Sequence, residues 1–268
     1  MTKGKNAFGL SRKIDDKIKY KVRRRCCFGC VICGSSIIQY HHFEPQFSEA
    51  KFHSEKGITI LCGTCHDKTH KGIISQKKIL EANSNPYCKK NQNAKDIFYL
   101  GNTTIPVKFG SSTIHAKTIL MYDNNIIIGF KNSESSGSPI RFNAVFTDKN
   151  GDEILRIQDN EWIVGEDCFD ITIKKSTLII TDELKNIAIE MNLAVDNMIH
   201  INQLNMFYKG FVIKADNYSF TLTVPSGGSF GHVGANYADI GIWMKSTGYA
   251  LVASNKDGIA AVGVGPQI

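Results

Sequence analysis

Two Cys-x-x-Cys pairs, Cys30/Cys33 and Cys62/Cys65, separated by twenty-eight residues, constrain this chain more than any other feature of it. Each pair places two thiols on one tight turn. Four thiolates complete a closed tetrahedral zinc site, and such sites staple small β-rich folds that cannot bury enough apolar surface alone. Six of the eight cysteines fall between Cys26 and Cys65. Where thiols stay reduced, that spacing reads as metal binding before disulfide. Cys27 and Cys30 form a further Cys-x-x-Cys pair, but Gly34 directly after Cys33 supplies the small residue a knuckle needs to turn, which favours Cys30/Cys33.

Charge divides the chain in the same place. Residues 1 to 90 hold eighteen Lys and Arg against seven Asp and Glu, and the remainder fourteen against eighteen, so the whole net charge of +7 resides in the N-terminal third. Clustered basic charge attracts polyanions through counterion release, which makes nucleic acid the first partner to consider and an anionic membrane surface the second. The basic N-terminus lacks the apolar stretch of a signal peptide, and no window approaches a membrane-spanning length. The expectation is a soluble, cytoplasmic protein with no membrane partner.

Along the chain, Ser11 is placed to cap a helix in which Ile14, Ile18 and Val22 recur every four residues, with Asp15 and Asp16 in its first turn. Arg23, Arg24 and Arg25 close that helix, suited both to its dipole and to phosphate contact. A second short helical pattern runs from Ile73 to Ala82, and a polar stretch from Asn83 to Asn93 with Pro86 reads as linker. The domains are therefore placed at residues 1–90 and 97–268, with 91–96 between them. Beyond the linker, β-branched and aromatic runs (Thr118 to Tyr122, Ile126 to Phe130, Ile140 to Thr147, Phe169 to Ile173, Leu178 to Thr181, Ile187 to Leu193, Tyr218 to Val224) alternate with turn residues such as Asp123-Asn124-Asn125. These predict hairpins building an antiparallel sandwich, roll or barrel. Gly258 to Gly265 is apolar enough to form a last strand or support an assembly. Trp162 and Phe169, with Asp159, Glu161, Asp167 and Asp170, make an aromatic and acidic patch suited to packing a sheet or meeting a partner.

Five of the eight histidines lie between residues 41 and 70. On a helix starting near Leu61 or Cys62, His66 and His70 stand at i and i+4 and share a face, so they can grip one cation. Adjacent His41 and His42 on a strand point to opposite faces, so only one of them can join that grip. A purely structural zinc module has no need of these histidines. His53 reads as a loop-packing residue within sequence reach of a substrate.

Cys30 to Gly72 resembles the HNH, or ββα-metal, endonucleases. The family pattern of Cys-x-x-Cys, then Asp/His-His-x-x-Pro, then Leu-Cys-x-x-Cys-His is matched by Cys30/Cys33, by His41-His42-Phe43-Glu44-Pro45, and by Leu61-Cys62-Gly63-Thr64-Cys65-His66. His70 adds the His-x-x-x-His variant found in nuclease colicins. The resemblance covers roughly residues 12 to 80. It implies an α+β fold class, with a small zinc-stabilised ββα-metal nuclease domain ahead of the antiparallel all-β domain. It further implies a structural zinc on Cys30, Cys33, Cys62 and Cys65, with His42 as general base. A catalytic divalent cation (Mg, Mn, Ni or Zn) would be held by His41, His66 and His70. The implied activity is hydrolysis of DNA phosphodiester bonds to 5′-phosphate and 3′-hydroxyl ends, with Arg23, Arg24, Arg25, Lys68 and Lys71 as contacts to nucleic acid. The β domain is then expected to regulate, target or homo-oligomerise. One departure stands out: the family usually has Asn five residues before the third cysteine, and here that position is Gly57. The alternatives are an RNase of the same fold, a catalytically inactive nucleic-acid-binding sensor, and a module that only braces the β domain.

Overall fold

The computed structural model describes residues 4–91, 93–165, 169–195, 197–255 and 258–259, and no helix among them is long and apolar enough to cross a membrane. The chain divides into two units. One is Met1–Asp96 with Val164–Ile171, and the other is Ile97–Ile163 with Thr172–Ile268. The short return segment, which the sequence reading assigned to the β region, thus belongs with the cysteine- and histidine-rich part.

The first unit contains α1 (Asp16–Arg25), β1 (Ile38–His42), β2 (Ile58–Cys62), α2 (Gly63–His70), α3 (Gln76–Ser84), α4 (Tyr87–Asn91) and the start of β3 (Asn93–Ile97). The cap of α1 is Asp15, whose carboxylate accepts the Lys17 N–H at 2.8 Å, whereas Ser11 accepts the Lys13 N–H in an earlier turn at 3.1 Å. Aspartate caps as well as serine does, and the helix begins at the later of the two. Its predicted apolar face is the buried one: Ile14, Ile18 and Val22 pack with Val31, Ile58, Ile60 and Leu61. β1 and β2 form an antiparallel hairpin with Ile38 opposite Cys62 and His42 opposite Ile58. Cys62 then ends β2 and caps α2, its Sγ accepting the Cys65 N–H at 3.4 Å. Strand, knuckle and helix are thereby joined at one residue.

The stretch read as linker is structured. After Pro86, which cannot donate a backbone hydrogen bond, α4 packs against the first cysteine pair. The Tyr87 N–H donates to the Val31 carbonyl at 3.0 Å, and Cys88 is buried. Lys95 then pairs with Ser35 as an isolated parallel bridge.

In the second unit the strands are β4 (Val107–Phe109), β5 (Ser112–Tyr122), β6 (Asn125–Lys131), β7 (Arg141–Thr147), β8 (Glu153–Gln158), β9 (Glu161–Gly165), β10 (Asp170–Lys174), β11 (Thr177–Thr181), β12 (Ile187–Asn192), β13 (Ile199–Tyr208), β14 (Phe211–Ala215), β15 (Phe220–Thr223), β16 (Ser229–Gly231), β17 (Gly234–Met244), β18 (Ala250–Asn255) and β19 (Gly258–Ile259). The division between the units falls within β9 and β10. Each of the seven predicted runs coincides with a strand. They belong to one continuous curled sheet. Antiparallel hairpins dominate, but the purely antiparallel expectation needs correction: β4 pairs in parallel with β13, and β5 with β17. Parallel neighbours require long connections, and here whole runs of hairpins supply them. Trp162 is core, 1% exposed. Asp167 and the tail from residue 260 onward lie outside the described residues.

Candidate metal centre and active site

The four cysteines singled out by spacing come together. One sulfur from each of Cys30, Cys33, Cys62 and Cys65 lies within 4.8 Å of the others, with Cys33 and Cys62 at 3.6 Å and Cys33 and Cys65 at 3.8 Å. Zinc–sulfur bonds of about 2.3 Å in a tetrahedron put sulfurs about 3.8 Å apart, so the donor set fits this ion. Cys27 is outside the cluster, which settles the choice between overlapping pairs. Gly34 makes the knuckle possible: its φ is +82°, its N–H donates to the Cys30 carbonyl at 2.8 Å, and a Cβ there would stand 2.5 Å from the Tyr87 ring. Burial, together with Cys30 alongside, pushes the Cys65 thiol up. A bound cation reverses that balance, because thiolate is the ligand form.

The histidines form a second cluster. β1 delivers His41 and α2 delivers His66 and His70, and one ring nitrogen from each lies within 4.8 Å of the others. The ring centroids of His41 are 5.2 Å from His66 and 5.8 Å from His70, and those two helix residues are 4.5 Å apart. Nitrogen ligands bonded at about 2.1 Å to one ion are at most about 4.2 Å apart, so small side-chain rotations close this set on a cation. Burial, then the charges of His66, His70 and His42, lower the His41 pKa to about 4. Burial and His70 lower that of His66. At neutral pH their lone pairs are therefore available.

His42 stands apart from that cluster, as strand alternation requires. Its ring lies 5.3 Å from Phe47 and 5.1 Å from His53, and its Nε2 is 3.0 Å from His53 Nδ1. Burial, then His53 and Arg12, lower its pKa to about 4, leaving a neutral imidazole at pH 7. The turn after His42 contains a cis Glu44–Pro45 bond. The main chain holds this turn. The Gly57 carbonyl accepts the N–H groups of Phe43 and Glu44 at 3.0 and 3.3 Å, and the Gln76 side chain donates to the Phe43 carbonyl. A Cβ on Gly57 would sit 2.1 Å from the Glu44 carbonyl oxygen. Gly57→Ala is therefore expected to lower stability by about 1–3 kcal/mol, the usual cost of overpacking, seen as a lower midpoint in thermal or urea denaturation. An unchanged midpoint would show that the turn is not held this way.

The basic residues divide by environment. Arg23 is 11% exposed: it donates twice to Asp170, at 2.9 and 2.6 Å, and once to the Tyr40 hydroxyl at 2.7 Å. Arg25 donates to the carbonyls of Glu55 and Ile58 and to Asn83. Both guanidinium groups are thus engaged within the fold. Arg24 is exposed beside the Tyr20 and Phe169 rings, Lys68 is exposed, and Lys71 is exposed with Asp67 at 2.7 Å. Phe169 and Asp170, read from sequence as part of an acidic patch, therefore brace α1.

His53, expected from sequence to pack a loop within reach of substrate, meets His42 instead, and Arg12 is a neighbour that the sequence does not single out. The Arg12 guanidinium lies 4.6 Å from the centroid of Phe47, next to His42. No local spacing points to either, since both reach the site through loops. Comparison of the chain with protein-family models, curated proteins and solved structures yields no match.

Proposed function

We propose that this protein is a metal-dependent phosphodiesterase of the ββα-metal kind. Within that class, it is read as an endonuclease acting on DNA, with His42 as general base. The observation that supports this most is the division of two adjacent histidines. His41 joins His66 and His70 in a cluster fit for one cation, while His42, neutral and held at its Nε2, stands outside it.

Cys30, Cys33, Cys62 and Cys65 would hold the structural zinc, and His41, His66 and His70 the divalent cation. An all-imidazole set suits Zn, Ni or Mn more than Mg. Bound there, a divalent cation polarises the scissile phosphate and stabilises charge on the leaving oxygen. His42 takes a proton from water, whose oxygen forms a bond to phosphorus as the P–O3′ bond breaks. The 3′ oxygen then takes a proton from solvent. This leaves a 5′-phosphate and a 3′-hydroxyl. The excess of basic residues in the first ninety supports a polyanionic substrate, with exposed Arg24 and Lys68 as the candidate phosphate contacts. The β-sheet unit is read as regulating, targeting or oligomerising.

The test is cleavage of supercoiled plasmid, and of single-stranded RNA in parallel, by metal-stripped protein re-supplied in turn with Mg, Mn, Ni and Zn. Metal-dependent nicking of plasmid is the expected result. Cleavage of RNA alone would reassign the substrate, and DNA binding without cleavage under every metal would favour an inactive sensor.

A further inference from the structure

A general base can use one imidazole nitrogen only if the other is held in the right tautomer and direction. For His42 that other nitrogen is Nε2, and what it meets is His53 Nδ1 at 3.0 Å. Phe47 flanks the same ring at 5.3 Å, so the imidazole is held by a hydrogen bond and an aromatic neighbour. His53 comes from the loop before β2, and its half-buried ring is tilted 49° from that of His42. Its remaining nitrogen, Nε2, is buried with no hydrogen-bond partner among the described residues. An orphaned buried polar atom asks for an explanation, and a hydrophobic residue would fill a purely packing position without one.

We propose that His53 is the positioning residue for His42. On this assignment, which rests on His42 being the base, His53 Nδ1 accepts from His42 Nε2–H and leaves His42 Nδ1 as the lone pair facing water. When that lone pair takes the proton, His42 becomes an imidazolium that keeps its Nε2–H directed at His53. The bond is then charge-assisted and stronger than before transfer. An interaction that strengthens only as charge develops acts on turnover and not on substrate binding.

The geometry also predicts which replacement works. An asparagine amide falls where Nδ1 is, and a glutamine amide falls where the orphaned Nε2 is. The experiment compares wild type, His53→Ala, His53→Asn and His53→Gln as full chains with Mn, on a short fluorescent DNA duplex. Thermal midpoints and the long-range proton–nitrogen NMR spectrum of His42 are recorded for each. The expected result is a loss in kcat of about tenfold to a hundredfold in His53→Ala and His53→Gln, with KM little changed. His53→Asn should recover most of the rate, and the Nε2–H tautomer of His42 should persist only in wild type and His53→Asn. Active wild type with an unaffected His53→Ala overturns the assignment and leaves the nuclease reading intact. So does equal loss in all three variants that follows a fall in thermal midpoint, the mark of packing alone. Inactive wild type under all four metals on DNA and RNA overturns the nuclease reading, and the assignment with it.

Discussion

In metal-loaded protein, His42→Ala is expected to cut the rate of plasmid nicking by about 10²–10⁴-fold, the range for loss of a positioned general base, while divalent-cation binding is retained. Both halves follow from geometry. His42 ends β1 on the face opposite His41, and its Nε2 is directed at His53, away from the imidazole cluster. Removing it leaves the three clustered imidazoles in place. His66→Ala supplies the contrast, because it deletes one member of that cluster and is expected to weaken binding of Mn or Ni measured by titration calorimetry. Single-turnover cleavage and calorimetry on the two variants together decide the matter. Wild-type cleavage by His42→Ala would remove it from the role of base, and loss of the cation from that variant would make it a ligand instead.

Loss of the four-cysteine centre is expected to unfold the first unit altogether. Its core is small and includes the site: Cys30, Cys62 and Cys65 are buried in it with Cys26, Val22, Val31 and the apolar residues of β2. Structural zinc contributes apparent free energies of about 10–16 kcal/mol in small zinc-dependent folds, comparable to the whole stability of an ordinary domain, about 5–15 kcal/mol. Cys62→Ser is the sharpest probe. Serine is a good N-cap, so α2 keeps its cap and only the ligand is lost. Native mass spectrometry should show one zinc fewer per chain, and limited proteolysis should cut between residues 26 and 90 while the β-sheet unit resists. Strong chelation of the wild type should reproduce the pattern. A Cys62→Ser protein with the wild-type midpoint and digestion pattern would mean that the thiols brace the fold without a metal.

Where sequence and structure agree, the signal is local. The Cys-x-x-Cys turns, the apolar stripe of α1, the i, i+4 placement of His66 and His70 and the opposed faces of His41 and His42 each follow from the period of one element or the geometry of one turn. The seven predicted strands likewise follow from runs of β-branched and aromatic residues. Boundaries slipped where two residues could serve equally, as with Ser11 and Asp15 at the start of α1. Strands such as β13 and β17 were passed over because polar residues interrupt their apolar pattern: Asn202, Gln203 and Asn205 in β13, and Asn236 and Asp239 in β17.

By itself, then, the sequence determined the four sulfur donors, the three clustered imidazoles, the separate fourth and the strand-rich character of the remainder. These depend on contacts among near neighbours or on spacings that admit few arrangements. Tertiary structure alone decided that the Gly57 carbonyl holds the turn after His42, that Asp170 returns from far along the chain to hold Arg23, and that His53 meets His42. It also decided the parallel pairing of β5 with β17. Such partners are joined by long loops and sheet closure. A periodic pattern says which face of a strand or helix is buried, and it is silent on which distant segment does the burying.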